Sequence, residues 1–212
     1  MSRAASHDAW REIDAPNELG YDERMVALPE RRASYAEYLE LERTSETKHE
    51  FVNGEIYAMA GGTPEHARLA MKLGRLLGAA LDGQPCEVFG SDLRVRVVAT
   101  GRATYPDLTV VCGRAELDPE DAEAVTNPTV LVEVLSVTTE QSDRTDKWAR
   151  YRRIPSLQCY VLVSQHEPRV ETFRRDGRRW ISEEHGPGEI VVVAGVEVSF
   201  AVDVLYASAI AR

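Results

Sequence analysis

Residues 127–136 read NPTVLVEVLS. An apolar run rich in β-branched side chains, bounded by Asn-Pro and by a polar segment, is the pattern of a strand buried on both faces. Alternation puts Leu131, Glu133 and Leu135 on one face and Val132 and Val134 on the other. Glu133 is the misfit, because an ionised carboxylate taken out of water is costly unless something compensates it. A core ion pair with an arginine is one explanation. A bound cation is the other.

Working outward, the next segment, TTEQSDRTDKWARYRRI, reads as a helix ending before Pro155, and LQCYVLV as a further buried strand. Upstream, PDLTVVC (106–112) is a strand with Asp107 at its mouth, joined to the Glu133 strand by an acidic, Pro-containing connection with room for a helical turn. CEVFG and DLRVRVVA alternate as strands, the second with Leu93, Val95 and Val97 inward and Arg94 and Arg96 outward. TPEHARLAMKLGRLLGAALDG is a helix with Thr63 as N-cap, Pro64 at its first position and Gly83 as its stop. Its stripe is Leu69, Leu73, Leu76, Leu77 and Ala80, with Gly74 and Gly78 permitting close packing.

Before that helix, Asn53-Gly54 between two alternating runs predicts a type I′ hairpin, in which Val52 opposes Glu55 and Glu50 opposes Tyr57. Ser34 with Glu37 is a capping box that opens a short helix. Residues 1–30 carry no sustained period and read as a tail or loosely packed lead-in, leaving 31–212 as one domain. Beyond residue 164, RVETFRRDGRRWIS is a hairpin turning at Asp176-Gly177, and EIVVVAGVEVSF with VDVLYASAI closes the chain. This order predicts an α/β (α+β) fold: a central mixed sheet flanked by helices, with an N-terminal helix and β-hairpin and a C-terminal hairpin extension.

The net charge of −10 argues against a protein that coats nucleic acid non-specifically. Residues 143–180 nevertheless hold ten basic against five acidic residues, enough for a basic face beside an acidic site. No run approaches the length of a membrane span, and the start has no apolar core of a secretory signal, so the default compartment is the cytoplasm. Cys86, Cys112 and Cys159 are scattered singly and read as buried thiols rather than zinc ligands or a disulfide. There is no G-x-S-x-G and no glycine-rich phosphate loop, which removes serine hydrolase and nucleotide-binding readings.

The chemistry narrows to acids and one base. Asp107 and Glu133 sit on strands that converge if they are neighbours, and two carboxylates in a dry pocket repel unless a proton or cation lies between them. Mg²⁺, which takes a few carboxylates and keeps several waters, suits that role. Of only three lysines, Lys48, Lys72 and Lys147, the last lies on the helix entered directly from the Glu133 strand. Lysine supplies a charge and, with a depressed pKa, can also accept a proton.

These residues resemble the PD-(D/E)XK restriction-endonuclease-like superfamily, and within it the Uma-type endonuclease family. The matching strings run over roughly residues 34–207: HEFVNGEIYAMAGGTPEH, VFGSDLRVRV, YPDLTVVC, NPTVLVEVLS, DKWARYRRIPSLQCYVLV and RVETFRR. The resemblance implies a restriction-endonuclease-like core and hydrolysis of nucleic-acid phosphodiester bonds, DNA in the first place. It implies Mg²⁺ or Mn²⁺ held by Asp107, Glu133 and the carbonyl of Val134. Leu135 occupies the position of the superfamily's lysine, and the family variant moves that role to Lys147. Glu50 aligns with an upstream acid that completes the site. His66 and Asp92 also fall in matching strings, with the alternatives of finishing a helix start and serving as a turn acid. Val137 stands where the family often has proline, which touches only the local loop shape. Symmetric double-strand cutting makes a homodimer plausible. The rival reading is a catalytically silent nuclease fold that binds nucleic acid or regulates.

Overall fold

A computed structural model of the chain describes residues 32–208. The lead-in 1–30 lies outside the described residues. Helix α1 (Tyr35–Thr44) starts at the expected capping box, with Ser34 accepting from the Glu37 amide and Glu37 reaching back to the Ser34 amide. Strands β1 (His49–Val52) and β2 (Glu55–Ala58) follow in the predicted register, Val52 opposite Glu55 and Glu50 opposite Tyr57. Asn53 and Gly54 both have positive φ, as a type I′ turn demands. Helix α2 (Pro64–Leu81) is capped by Thr63, whose hydroxyl accepts from the His66 amide. Its buried stripe is Leu69, Leu73, Leu77 and Leu81, so Leu81 takes the place expected of Ala80, which is exposed. Gly74 does permit close approach: a Cβ there would lie 3.1 Å from Leu108 Cδ2, whereas Gly78 faces open space.

Twelve of the strands form two six-stranded sheets. The central mixed sheet has the order β12-β11-β10-β9-β6-β3 and is built from β3 (Cys86–Gly90), β6 (Leu108–Cys112), β9 (Val130–Leu135), β10 (Cys159–Ser164), β11 (Val170–Asp176) and β12 (Arg179–His185). Within this sheet only β9 and β10 run parallel. They are joined by a helical crossover over 140–151, as a parallel pair requires. The second sheet, β2-β1-β5-β4-β8-β7, adds β4 (Arg94–Val97), β5 (Arg102–Thr104), β7 (Leu117–Asp118) and β8 (Asp121–Val125). Strands β13 (Ile190–Val193) and β14 (Val198–Ala201) with helix α5 (Val202–Tyr206) close the described chain. The β9 alternation is as read from sequence. Val130, Val132 and Val134 pack with the α2 leucines and β13–β14, while Leu131 and Leu135 pack with Tyr151, Ile154 and the valines of β4.

Four expectations need correction. The connection 113–128 holds no helical turn but the short strands β7 and β8, which extend the second sheet. Arg94 does not point to solvent. It is 6% exposed and bonded to Asp121 and Tyr105, because helix α1, with Tyr38 against the guanidinium and Glu42 beside it, covers the face that an isolated strand would leave wet. The hairpin of β11 and β12 turns at Gly177-Arg178, since Asp176 already pairs with Arg179. Finally, Cys86 and Cys112 form a disulfide, as directly opposed partners on the antiparallel β3–β6 pair, with Cα atoms 4.0 Å apart. Only Cys159 is a free buried thiol, pushed up to about 12 by burial.

Candidate functional site

The site lies where β6 and β9 run side by side under the crossover helix. Leu108 pairs with Val132, so Asp107, one residue before β6, stands beside Glu133 in register. Asp107 Oδ2 accepts the Val134 amide hydrogen at 2.7 Å and lies 3.2 Å from His66 Nε2. Glu133, 4% exposed, projects from the opposite side of β9 from Val132 and Val134, toward the helix.

That helix is composite. A short α3 (Glu140–Ser142) and α4 (Trp148–Tyr151) flank a π-helical segment, Asp143–Lys147. The wider turn needs support for its backbone: from outside, the Tyr160 hydroxyl donates to the Asp143 carbonyl at 3.1 Å, and within the helix Thr145 donates to the Gln141 carbonyl at 2.7 Å. The segment aims Lys147 inward, with Nζ 3.0 Å from Glu133 Oε1, 2.9 Å from Asp143 Oδ1 and 3.6 Å from Glu50 Oε1. Tyr151 donates its hydroxyl to the same Glu133 oxygen at 2.9 Å.

Glu50 arrives from the hairpin as the register predicts. Its other oxygen receives Arg102 Nη2 at 2.5 Å, Thr104 donates to Oε1, and Arg102 Nη1 continues to Asp146 at 2.6 Å. Burial alone would raise Glu50, but the charges of Lys147 and Arg102, with hydrogen bonds from Thr104 and Arg102, hold it down to about 2. Glu133 goes the other way: burial, with the negative charges of Asp143, Asp107 and Glu50, outweighs Lys147 and keeps it well above the usual carboxylate range. Burial opposes the Lys147 ammonium, yet Glu133, Glu50 and Asp143 together hold its pKa well above normal. Lys147 is thus a fixed positive charge here, and the proton-accepting role that a depressed pKa would give it does not arise. His66 is raised, chiefly by its hydrogen bond to Asp107 and against the pull of burial.

The sequence-derived residues Glu50, Glu133 and Lys147 therefore come into direct contact, with Asp107 and Val134 on the adjoining backbone. Asp92 does not join them; it pairs with Lys48 at an exposed position. Sequence reasoning missed Asp143, Tyr151, Arg102 and Thr104. Asp143 and Tyr151 had a signal, since they sit four residues before and after Lys147 on one helical stripe. Arg102 and Thr104 had none, because their partners come from elements 44 to 54 residues away.

A divalent cation is implied by the resemblance, and the donor set can be weighed against it. Three carboxylates, Glu50, Glu133 and Asp143, share the single Lys147, one arginine is divided between Glu50 and Asp146, and Asp107 pairs with His66. Oxygen donors with uncompensated charge suit a hard cation. Asp107, Glu133 and the Val134 carbonyl would hold it. Among the described residues, no three His, Cys, Asp or Glu side chains are grouped as a ready-made ligand set.

A solved structure with the same architecture is a protein of Anabaena variabilis described as a "putative nuclease belonging to DUF820". It superposes with a TM-score of 0.65 at 18% identity, over 76% of this chain and 91% of that one, a likeness of fold. The fold is that of the restriction-endonuclease-like class. The chain belongs to the Uma2 family, described as "Putative restriction endonuclease", whose model matches residues 35–204. Two proteins of Synechocystis sp. are relatives, both uncharacterized. One, slr1290, is 36% identical over 85% of this chain and 94% of its own length; the other, sll1609, is 36% identical over 74% and 89%.

Proposed function

We propose that the protein is a divalent-cation-dependent endonuclease that hydrolyses phosphodiester bonds in nucleic acid, DNA in the first place, acting as a homodimer in the cytoplasm. The observation that carries this reading is the buried contact of Lys147 with Glu133, one strand pairing away from Asp107, in a pocket with more carboxylates than cations. A cation held by Asp107, Glu133 and the Val134 carbonyl would polarise the scissile phosphate and lower the pKa of a bound water. The side chains around it have separate tasks. Tyr151 fixes the Glu133 carboxylate through the bond to Oε1. Glu50, tied to Arg102 and Thr104, and Asp143 hold Lys147 in place. Lys147 keeps its proton at Nζ, and its ammonium orients the attacking water and offsets charge gathering on the phosphoryl oxygens.

The test is incubation of supercoiled and linear DNA with the protein and Mg²⁺ or Mn²⁺, beside Asp107→Ala and Glu133→Ala. Nicking by the wild type that both variants lose supports the reading. Equal background nicking by all three ends it. A second reading, a silent nuclease fold used for binding, draws on the fact that Lys147 and His66 already contact the two central carboxylates. It predicts nucleic-acid binding indifferent to metal and to Lys147→Ala.

A further inference from the structure

The end of the crossover helix borders a cavity of about 250 Å³ that the reading above does not use. Its apolar surface comes from two places. Val97, Val98 and Ala99 supply one part, where β4 runs into a 3₁₀ turn, and Ile154 and Pro155 supply the other, where the helix stops. The neutral polar side chains of the lining are committed to backbone. Asn127 accepts from the Glu116 amide at 2.9 Å and donates to the Arg114 carbonyl at 3.0 Å, and Ser156 donates to the Pro128 carbonyl at 2.8 Å. The shape is thus set by the protein's own bonds. Of the charged side chains, Arg96 is turned to the Gly101 carbonyl and the Tyr35 ring. That leaves Arg153 and Glu116, both exposed and without an ion pair among the described residues.

Resting on the endonuclease reading, we infer that this cavity takes one unpaired base of a bound DNA strand, with the flanking phosphate on Arg153. An apolar hollow beside a free cation matches a nucleotide, which is apolar over its base faces and anionic at its phosphate. The volume is below the roughly 300 Å³ at which sites for drug-sized ligands begin, so it suits a single base. Glu116 can accept hydrogen bonds from a base edge that carries an amine. Position supports the same occupant. Arg153 lies six residues past Lys147, roughly 9 Å at the rise of a helix, and Val97 pairs with Arg102, the residue that bonds Glu50. A strand with its scissile phosphate at Asp107 and Glu133 therefore reaches the cavity within a few nucleotides. Because a base must leave its stack to enter, DNA in which a base is already unpaired binds at lower cost.

The experiment measures binding by the full chain without divalent cation, so that nothing is cut, from the fluorescence anisotropy of labelled duplexes. A fully paired duplex is compared with one carrying a bulged adenine and one carrying a bulged abasic site in the same sequence. The bulged adenine should bind about tenfold tighter than either of the others, the size expected when one base-sized apolar surface leaves water. Ala99→Leu narrows the cavity, and Val98→Glu puts a charge in its wall. Both positions are exposed, so melting temperatures should hold, and both variants should lose the advantage of the bulged adenine. Equal affinity for the adenine and abasic bulges, or an advantage that survives both substitutions, overturns the inference and leaves the endonuclease reading standing. An advantage that both substitutions abolish, in a protein that fails the nicking test, upholds the cavity as a nucleotide site and removes only the cleavage.

Discussion

Lys147 is surrounded by acids whose burial it makes tolerable. It is 7% exposed, Glu133 4% and Asp143 1%, so the ammonium is the charge that lets three neighbouring carboxylates stay dry. Removing one partner of a buried ion cluster costs roughly 3–5 kcal/mol, because the remaining charges are left uncompensated. Lys147→Met should therefore lower stability by about that amount at pH 7, read from urea melts. Because Glu133 is already held above the usual carboxylate range, mild acid should protonate it first and recover much of the loss by pH 5. A variant equally unstable at both pH values would mean that packing, not charge, sets the cost. Glu50 makes the reverse prediction. Its carboxyl is held at about 2 against an ordinary value near 4.5, so it stabilises the fold above the ordinary value and loses that contribution as pH falls toward 2. Glu50→Gln should be less stable than the wild type at neutral pH, and the gap should close across that window in acid melts.

At the scale of elements, what could be read from residue order was what local chemistry decides. The capping box at Ser34, the Asn53-Gly54 turn and the Thr63–Pro64 helix start lie where the sequence puts them, since each is a short-range hydrogen-bond or φ requirement. The face alternation of β9 was legible for the same reason, and with it the anomaly of Glu133. The π segment was not, because the extra residue in the turn is held by Tyr160 from a neighbouring strand. Nor was the second sheet, in which Arg94 finds Asp121 and becomes a buried cation. The disulfide escaped for the same reason: Cys86 and Cys112 are 26 residues apart, and only strand pairing brings them together. It ties the outermost strand β3 to β6, the strand that begins beside Asp107. Closing a loop of that length is worth about 2–4 kcal/mol. Reduction with dithiothreitol should lower the melting temperature of the wild type and leave a Cys86→Ser, Cys112→Ser variant unmoved. Identical melts with and without reductant would show that the bond adds nothing to the fold.

Over the whole molecule, the charge that the sequence concentrates in residues 143–180 is only partly available to a ligand. Arg144 is spent on Glu171 and Glu140, Arg150 on Asp146 and Asn53, and Arg174 on Glu183, while Arg175 donates to the Leu157 and Ile154 carbonyls. Arg152, Arg153, Arg178 and Arg179 are exposed and make no ion pair with the described residues. The first two end the crossover helix that carries Lys147, and the other two tip the β11–β12 hairpin of the same sheet. In a chain of net charge −10, these four are where a phosphate backbone would meet the least repulsion. Each phosphate contact adds roughly 0.9 to the slope of log affinity against log salt for duplex DNA. Replacing Arg152 and Arg153 together by alanine should therefore weaken DNA binding similarly for all sequences and flatten that slope by about two, with the melting temperature unchanged because both side chains are exposed. Fluorescence anisotropy of a labelled duplex over a salt series measures both quantities. A slope that stays the same in this pair and in the Arg178, Arg179 pair would put the phosphate contacts elsewhere on the surface.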